Sequence, residues 1–213
     1  MSRPLTEQEA CLTGLSTTHL KPLGPHYIHV SALPAFQAMQ HAAANEGIDL
    51  QIASGFRDYH RQAAIWQRKV AHFENPTDAD FHSILRWSAM PGASRHHWGT
   101  DLDVYDPTVL GGQELRLEPW EYEQDGPQGT LSRWLDLNAR RFNFYRPYQR
   151  DLGGVAVEPW HISYAPITGD FLKQITPELL QRVWHQHPPA CAQWLKDHCA
   201  ALVRRYVTNV ASI

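Results

Sequence analysis

Two short segments far apart in the chain constrain what it can fold into more than anything else in it. Ser94-Arg-His-His-Trp-Gly-Thr-Asp-Leu-Asp103 offers imidazoles and carboxylates, and Glu158-Pro-Trp-His161 answers it with another of each. A fold that brings the two together has the parts of a hydrolytic zinc site. Such a site takes three protein ligands from His, Asp and Glu and leaves a fourth position for a water whose pKa falls to roughly 7.

Thirteen histidines make chance groupings common, so the spacing needs a physical reason. Met90-Pro-Gly-Ala-Ser94 is a turn-rich approach that leaves His96 at the end of a loop. Thr100-Asp-Leu-Asp-Val-Tyr105 then alternates as a strand does. On that strand Asp101, Asp103 and Tyr105 share one face, while Leu102 and Val104 take the other. Gly99, between His96 and the strand, lets the chain bend sharply enough to bring His96 and Asp103 to one ion. The third ligand has to come from elsewhere. Val155-Ala-Val-Glu-Pro-Trp-His-Ile-Ser-Tyr164 reads as a second extended segment, since Pro159 forbids a helix interior. A bend at Pro159 can aim His161 at the metal and leave Glu158 beside its water, where a general base belongs.

The pattern S-x-H-x-x-G-x-x-x-D followed by E-x-W-H-x-x-Y resembles the zinc D-alanyl-D-alanine carboxypeptidases of the VanY type. They belong to a wider group that includes VanX dipeptidases, hedgehog-like domains and several bacteriophage lysins. Ser54-Gly-Phe-Arg57 with Gln62 is similar to a third family segment, S-G-Y-R-S-x-x-x-Q. Three ordered motifs thus span residues 54 to 164, a far more specific match than any one of them. The resemblance implies that His96, Asp103 and His161 bind one zinc ion and that Glu158 is the base. It also implies that Arg57 binds the substrate carboxylate or polarises the scissile carbonyl, with Gln62 and Ser94 lining the subsite for the C-terminal residue.

The chain departs from the family at two places. Asp101 stands where a small residue is common, and Asp58 follows the arginine where Ser or Thr is usual. Asp101 is either a partner that orients a ligating imidazole or a strand residue hydrogen-bonded elsewhere. His97 could ligate in place of His96, and the family register is what selects His96. Histidines outside the motifs, such as His19, His41, His72 and His185, are expected to be solvated or hydrogen-bonded. Arg57 has the alternative of pairing with Asp58. Trp160 and Tyr164 read as core or cleft-wall aromatics; Trp98 and Trp160, which flank the ligands, have the alternative of shielding the metal from solvent, which would strengthen its electrostatics.

At 213 residues with 43% hydrophobic content, one domain is the default, and such a chain buries well over half of its unfolded surface. The expectation is a single domain over 1–213, with a motif-bearing core over about 30–170 and a helical C-terminal extension over about 171–213. A net charge of −3 and no basic cluster longer than Arg140-Arg141 or Arg204-Arg205 argue against nucleic-acid and anionic-membrane partners. Cys11, Cys191 and Cys199 are odd in number and lack C-x-x-C spacing, so free thiols are expected. No secretory n-region and h-region opens the sequence and no long apolar span follows, which gives an expectation of cytoplasmic location.

Along the chain, Pro34 to Glu46 reads as a helix closed by Gly47. Asp49 to Ser54 is the strand that carries Arg57 out at its end, and Asp58 caps a helix running to about Phe73. Leu110 to Gly129 is an aperiodic loop near the cleft. Thr130 or Ser132 caps a helix reaching Phe142, and Gly153-Gly154 turns the chain into the Glu158 segment. Thr176-Pro-Glu begins a helix, broken at Pro188-Pro189 and followed by another from Ala190 to about Val207. The expected class is α+β, a small antiparallel sheet carrying the zinc site, flanked by helices, with supporting C-terminal helices.

The function expected from the resemblance is removal of a terminal D-alanine from peptidoglycan-derived peptides. For a chain without an export signal the reading leans to an L,D-carboxypeptidase acting on recycled tetrapeptides. The alternatives are a D,D-carboxypeptidase or D-Ala-D-Ala dipeptidase, a phage-type L-Ala-D-Glu endolysin, and a zinc module without catalysis.

Overall fold

Local sequence signals set most element boundaries in the computed structural model, which describes residues 3–212. Thr6 and Glu9 form a reciprocal capping box at the start of α1 (Glu7–Leu12), satisfying donors that have no intrahelical partner. A hairpin follows, β1 (Leu20–Leu23) antiparallel to β2 (His26–His29). Helix α2 (Leu33–Ala44) has Pro34 in its first turn and leads to β3 (Gln51–Ser54). Asp58 caps α3 (Tyr59–Val70) by accepting from the Arg61 N–H at 2.8 Å, and Thr77 caps α4 (Asp78–Leu85). A 3-10 turn over Arg95–Trp98 ends at Gly99, in the left-handed region at φ 66°, and hands the chain to β4 (Asp101–Tyr105). Then come α5 (Gly129–Asn138), β5 (Phe144–Tyr145) and β6 (His161–Tyr164). The remainder is helical: α6 (Ala165–Gln174), α7 (Pro177–Gln186) capped by Thr176, and α8 (Ala192–Leu202) running into a π-helical turn.

The class is α+β. One antiparallel sheet has the order β3-β4-β6-β5, and helices flank it. The expected alternation along β4 holds, because Leu102 and Val104 are fully buried in one core with Ile162, Phe36 of α2 and Leu131 of α5. Burying an aliphatic or aromatic side chain of this kind is worth about 1.5–3 kcal/mol relative to exposing it. A second core joins α3 and α4 to the C-terminal helices through Trp66, Phe81, Leu180, Trp184 and Leu195. Trp66 and Trp184 also donate to the Ala190 and Pro91 carbonyls, so the late helices brace both α3 and the approach to His96.

Three expectations need adjustment. The second extended segment is a strand only over His161–Tyr164. Before it the backbone pairs with loops, Ala156 N–H with the Arg86 carbonyl and Glu158 N–H with that of Tyr148, and a turn closes from Glu158 to His161. The α5 helix starts at Gly129, and its last turn becomes 3-10 over Ala139–Phe142. The 110–129 loop contains a 3-10 turn at Pro119–Tyr122, tied down by buried Glu121, which accepts from the Arg116 and Glu118 N–H groups. All three cysteines are free. Among the described residues no helix is long and apolar enough to cross a membrane.

Two outcomes follow for stability. A Cβ at Gly99 would lie 2.5 Å from Leu20 Cδ2 and 2.9 Å from the His29 nitrogen. Left-handed strain and overpacking together make Gly99→Ala cost more than about 2 kcal/mol in denaturant unfolding. Glu9 on α1 is hydrogen-bonded by Arg182 of α7, which against the effect of burial holds its carboxyl down from 4.5 to about 2. That stabilisation is fully present above pH 4.5 and is lost as pH falls toward 2. Thermal midpoints of Glu9→Gln should therefore fall less steeply across this window than those of the unmodified chain.

Candidate metal centre

The β4–β6 register sets Asp103 directly opposite His161. Opposed residues of an antiparallel pair keep their Cβ atoms about 4.5–5.5 Å apart on one face, and here Asp103 Oδ1 lies 3.1 Å from His161 Nδ1. The 3-10 turn before Gly99 delivers His96, whose Nε2 stands 3.3 Å from Asp103 Oδ2. All three side chains are buried and their donor atoms lie within 4.8 Å of one another. Two donors at ~2.0–2.1 Å from a tetrahedral zinc ion stand about 3.3 Å apart, so the spacing suits one.

Each ring is held by a hydrogen bond from its other nitrogen. His96 Nδ1 donates to the Gly55 carbonyl at 3.0 Å, which leaves the Nε2 lone pair facing Asp103. His161 is turned the other way: Nε2 donates to Asp101 Oδ1 at 3.0 Å and Nδ1 faces the centre. Partners of this kind fix both tautomer and ring orientation in metal sites. His161 Nδ1 and Asp103 Oδ1 are close but not aligned for a hydrogen bond, and both are buried without a partner. Orphaned buried donors and acceptors are costly, and a cation between them would satisfy both.

Asp101 is the centre of a buried polar network. Besides His161 it accepts from Arg95 Nε at 2.7 Å, from Thr100 Oγ1 at 2.7 Å and from Ser163 Oγ at 3.1 Å. Arg95 donates in turn to Tyr145 and Ser163 and lies over the Trp98 ring. Of the two readings open at Asp101, the geometry favours the one in which it orients an imidazole. Arg95, its buried counter-charge, carried no motif signal of its own.

Glu158 reaches the centre through the Glu158–His161 turn, its Oε2 lying 3.5 Å from His161 Nδ1. The two acids sit in unlike surroundings. Burial alone would raise Asp103, but His96 and His161 pull it well below the usual carboxylate range. Burial pushes Glu158 up to about 8, with His161 and Arg57 opposing and Asp103 adding to the rise. Burial would depress His161, yet Asp101 and Asp103 carry it to about 9. Neighbouring acids whose affinities are driven apart in this way are the mark of distinct charge-holding and proton-moving roles.

Arg57 lies at the cleft side of the site, donating to Gln62 Oε1 at 2.8 Å and Ser54 Oγ at 3.1 Å. Its backbone N–H donates to the His96 carbonyl, so the β3 end and the ligand turn are joined. Arg57 therefore does not pair with Asp58, which caps α3. Ser94 lines the cleft. Gln62 is fully buried, and it bridges Arg57 to the Ala89 carbonyl rather than facing the cleft. His97 is locked away from the centre, Nδ1 bonding the Arg57 carbonyl and Nε2 accepting from Gly92 N–H. Tyr148, which no motif marked, packs its ring against His161 at 4.9 Å. The cleft above the centre, about 370 Å³, draws Ile65 from α3, Leu85 from α4 and Asp103 and His161 from the sheet.

A family model described as VanY, D-alanyl-D-alanine carboxypeptidase, matches residues 25–167. A D-alanyl-D-alanine carboxypeptidase of Enterococcus faecalis (strain ATCC 700802 / V583) is 30% identical over 168 residues, 75% of this chain and 52% of that protein. The chain thus spans about half the length of that relative. Among solved structures, VanYB in complex with D-Alanine-D-Alanine is similar at a TM-score of 0.56 and 25% identity, covering 74% of this chain and 89% of that one. A mutant of the vancomycin resistance D,D-pentapeptidase VanY in complex with Zn(II) is similar at 0.54 and 26% identity, covering 73% and 86%.

Asp101→Ala strands the Arg95 charge in the interior and should cost about 3–5 kcal/mol in denaturant unfolding. Glu158, which makes no side-chain hydrogen bond among the described residues, behaves differently. Glu158→Gln should stay within about 1 kcal/mol of the unmodified chain.

Proposed function

The chain belongs to the VanY family of D-alanyl-D-alanine carboxypeptidases, and on that premise we propose that it is a zinc-dependent carboxypeptidase releasing the terminal D-alanine of peptidoglycan peptides. The observation that carries this reading is the buried trio His96, Asp103 and His161 with Glu158 beside it. In it, His96 Nε2, an Asp103 oxygen and His161 Nδ1 would hold one zinc ion per chain. Bound there, zinc supplies Lewis acidity, bringing the pKa of a water to about 7 and polarising a carbonyl. The Zn(II) complex of a family structure supports the choice of metal.

Glu158 is the general base. It takes the proton of the attacking water as the new C–O bond forms, and it delivers that proton to the amine nitrogen as the C–N bond breaks. Its carboxylate, 3.5 Å from His161 Nδ1 at the edge of the centre, is placed for both transfers. Arg57 presents its guanidinium to the terminal carboxylate or the developing oxyanion, a charge-assisted contact. Gln62 serves that contact by fixing the guanidinium, and Ser94 lines the subsite of the departing residue.

Within this activity the assignment is to tetrapeptides, in which D-alanine follows an L-configured centre. The support is the cleft lining, where cations without acidic partners face the substrate path. The D-Ala-D-Ala dipeptide has only methyl side chains and, beyond its terminal carboxylate, only an ammonium to offer them. The endolysin and non-catalytic readings have no comparable observation behind them.

Mass-spectrometric product analysis of the zinc-loaded chain tests both levels. The expected result is loss of one alanine from the diaminopimelate tetrapeptide, abolished by chelator and restored by zinc. Glu158→Gln should lower turnover by about 10²–10⁴ while zinc content by elemental analysis stays at one per chain. Cleavage of D-Ala-D-Ala substrates alone would move the protein to the D,D class. Full turnover in Glu158→Gln would remove the base.

A further inference from the structure

Six acidic or basic side chains besides the histidines line the cleft above the centre: Arg57, Lys69, Arg95, Arg116, Asp103 and Glu158. Four have partners or roles already described, Arg95 being spent on Asp101. Lys69 and Arg116 remain. Among the described residues neither side chain has an ion-pair or hydrogen-bond partner. Lys69 is half-buried in the last turn of α3, one helical turn beyond Ile65 of the cleft wall. It lies within the electrostatic reach of both Arg57 and Glu158. Arg116 faces the same cavity from the 107–127 loop, whose backbone at that point is held by Glu121.

A half-buried lysine with no counter-ion is an expensive arrangement unless something ionic comes to meet it. Most surface lysines settle that cost by extending into water. This one instead borders a cavity beside the reaction centre, and the other unpaired charge across the cavity has the same sign. The field of the cleft is therefore set to receive anions beyond the one that Arg57 accounts for.

We propose that Lys69, with Arg116 across the mouth, is a specificity site for a second substrate carboxylate, distinct from the terminal one. It makes the chain select stem peptides with an acidic group near the scissile bond. Resting on the carboxypeptidase reading above, this names its substrate class: peptides whose penultimate residue carries a side-chain carboxylate, as diaminopimelate does beside its ammonium, in preference to an ammonium alone, as lysine does. The α-carboxylate of an isoglutamate one residue earlier offers the same chemistry, and the test separates the two sources.

Four tetrapeptides, L-Ala-γ-D-Glu-X-D-Ala with X either meso-diaminopimelate or L-lysine and each with isoglutamate or isoglutamine, are compared on the zinc-loaded chain. Binding is measured calorimetrically on zinc-loaded Glu158→Gln, and kcat and KM on the unmodified enzyme. The expected result is a preference of about tenfold or more in Kd and KM for the diaminopimelate peptides, the size of one charge-assisted contact. It should collapse in Lys69→Ala, survive in Lys69→Arg, and turn toward the lysine peptides in Lys69→Glu. A preference that follows isoglutamate over isoglutamine and is lost in Lys69→Ala would keep the carboxylate site and place it one residue earlier. Equal binding of all four peptides to chains with and without Lys69, or a fall in kcat alone for every peptide, would overturn the proposal and leave Lys69 acting only on Glu158. Lys69-dependent binding without turnover by the unmodified chain would instead overturn the carboxypeptidase reading. No binding of any peptide would overturn both.

Discussion

The cross-strand pairing of Asp103 with His161 is the constraint on which the rest of the structure depends. Side chains alternate along a strand, so a slip of one residue between β4 and β6 would turn His161 away from the centre and Ile162 toward it. The register is held by the apolar set on the opposite face, Leu102, Val104 and Ile162, none of which has any solvent exposure. The hydrophobic core and the polar centre are thus two faces of one pairing, and neither can be displaced without the other.

A polar centre on a buried sheet face carries a desolvation cost, and the Arg95–Asp101 network is how this chain meets it. Asp101 accepts four hydrogen bonds and faces a guanidinium at 2.7 Å, so its charge is kept although it is fully buried. Buried ion pairs contribute little net stability. What this one contributes is orientation, since the imidazole bonded to Asp101 can present only Nδ1 to the centre. Arg57 is fixed in a similar way by Gln62 and Ser54, and its own backbone ties it to the ligand turn through His96. The centre, the arginine and the turn are therefore tied together.

The C-terminal helices contribute no donor atom to the centre, yet they shape the cleft. They pack on α3 and α4 through Trp184 and Leu195, and α3 carries Asp58, Gln62, Ile65 and Lys69 in succession from its cap to its last turn. Fixing that helix fixes the wall along which a peptide would lie. Opposite, the 107–127 loop is stiffened at its base by Gln128, whose amide mimics a strand partner for Asp106 at both N–H and carbonyl.

What the sequence by itself determined were the features that depend on near neighbours. Caps at Asp58 and Thr176, the alternation along β4 and the need for glycine at position 99 rest on local backbone chemistry, and all were legible. That His96, Asp103 and His161 come together, with Glu158 beside them, was legible too, because ordered motifs encode it. Where the local signal was mixed, as in the segment before His161, strand was expected and loop pairing prevailed. Only tertiary structure decided which imidazole nitrogen faces the centre, that Asp101 orients one of them with Arg95 as its counter-charge, that Gln62 serves Arg57 from below, and that Lys69 and Arg116 share a cavity. Each of these is a contact between segments distant in sequence. Its energy depends on burial and on the direction of a hydrogen bond, neither of which is carried by residue identity or spacing.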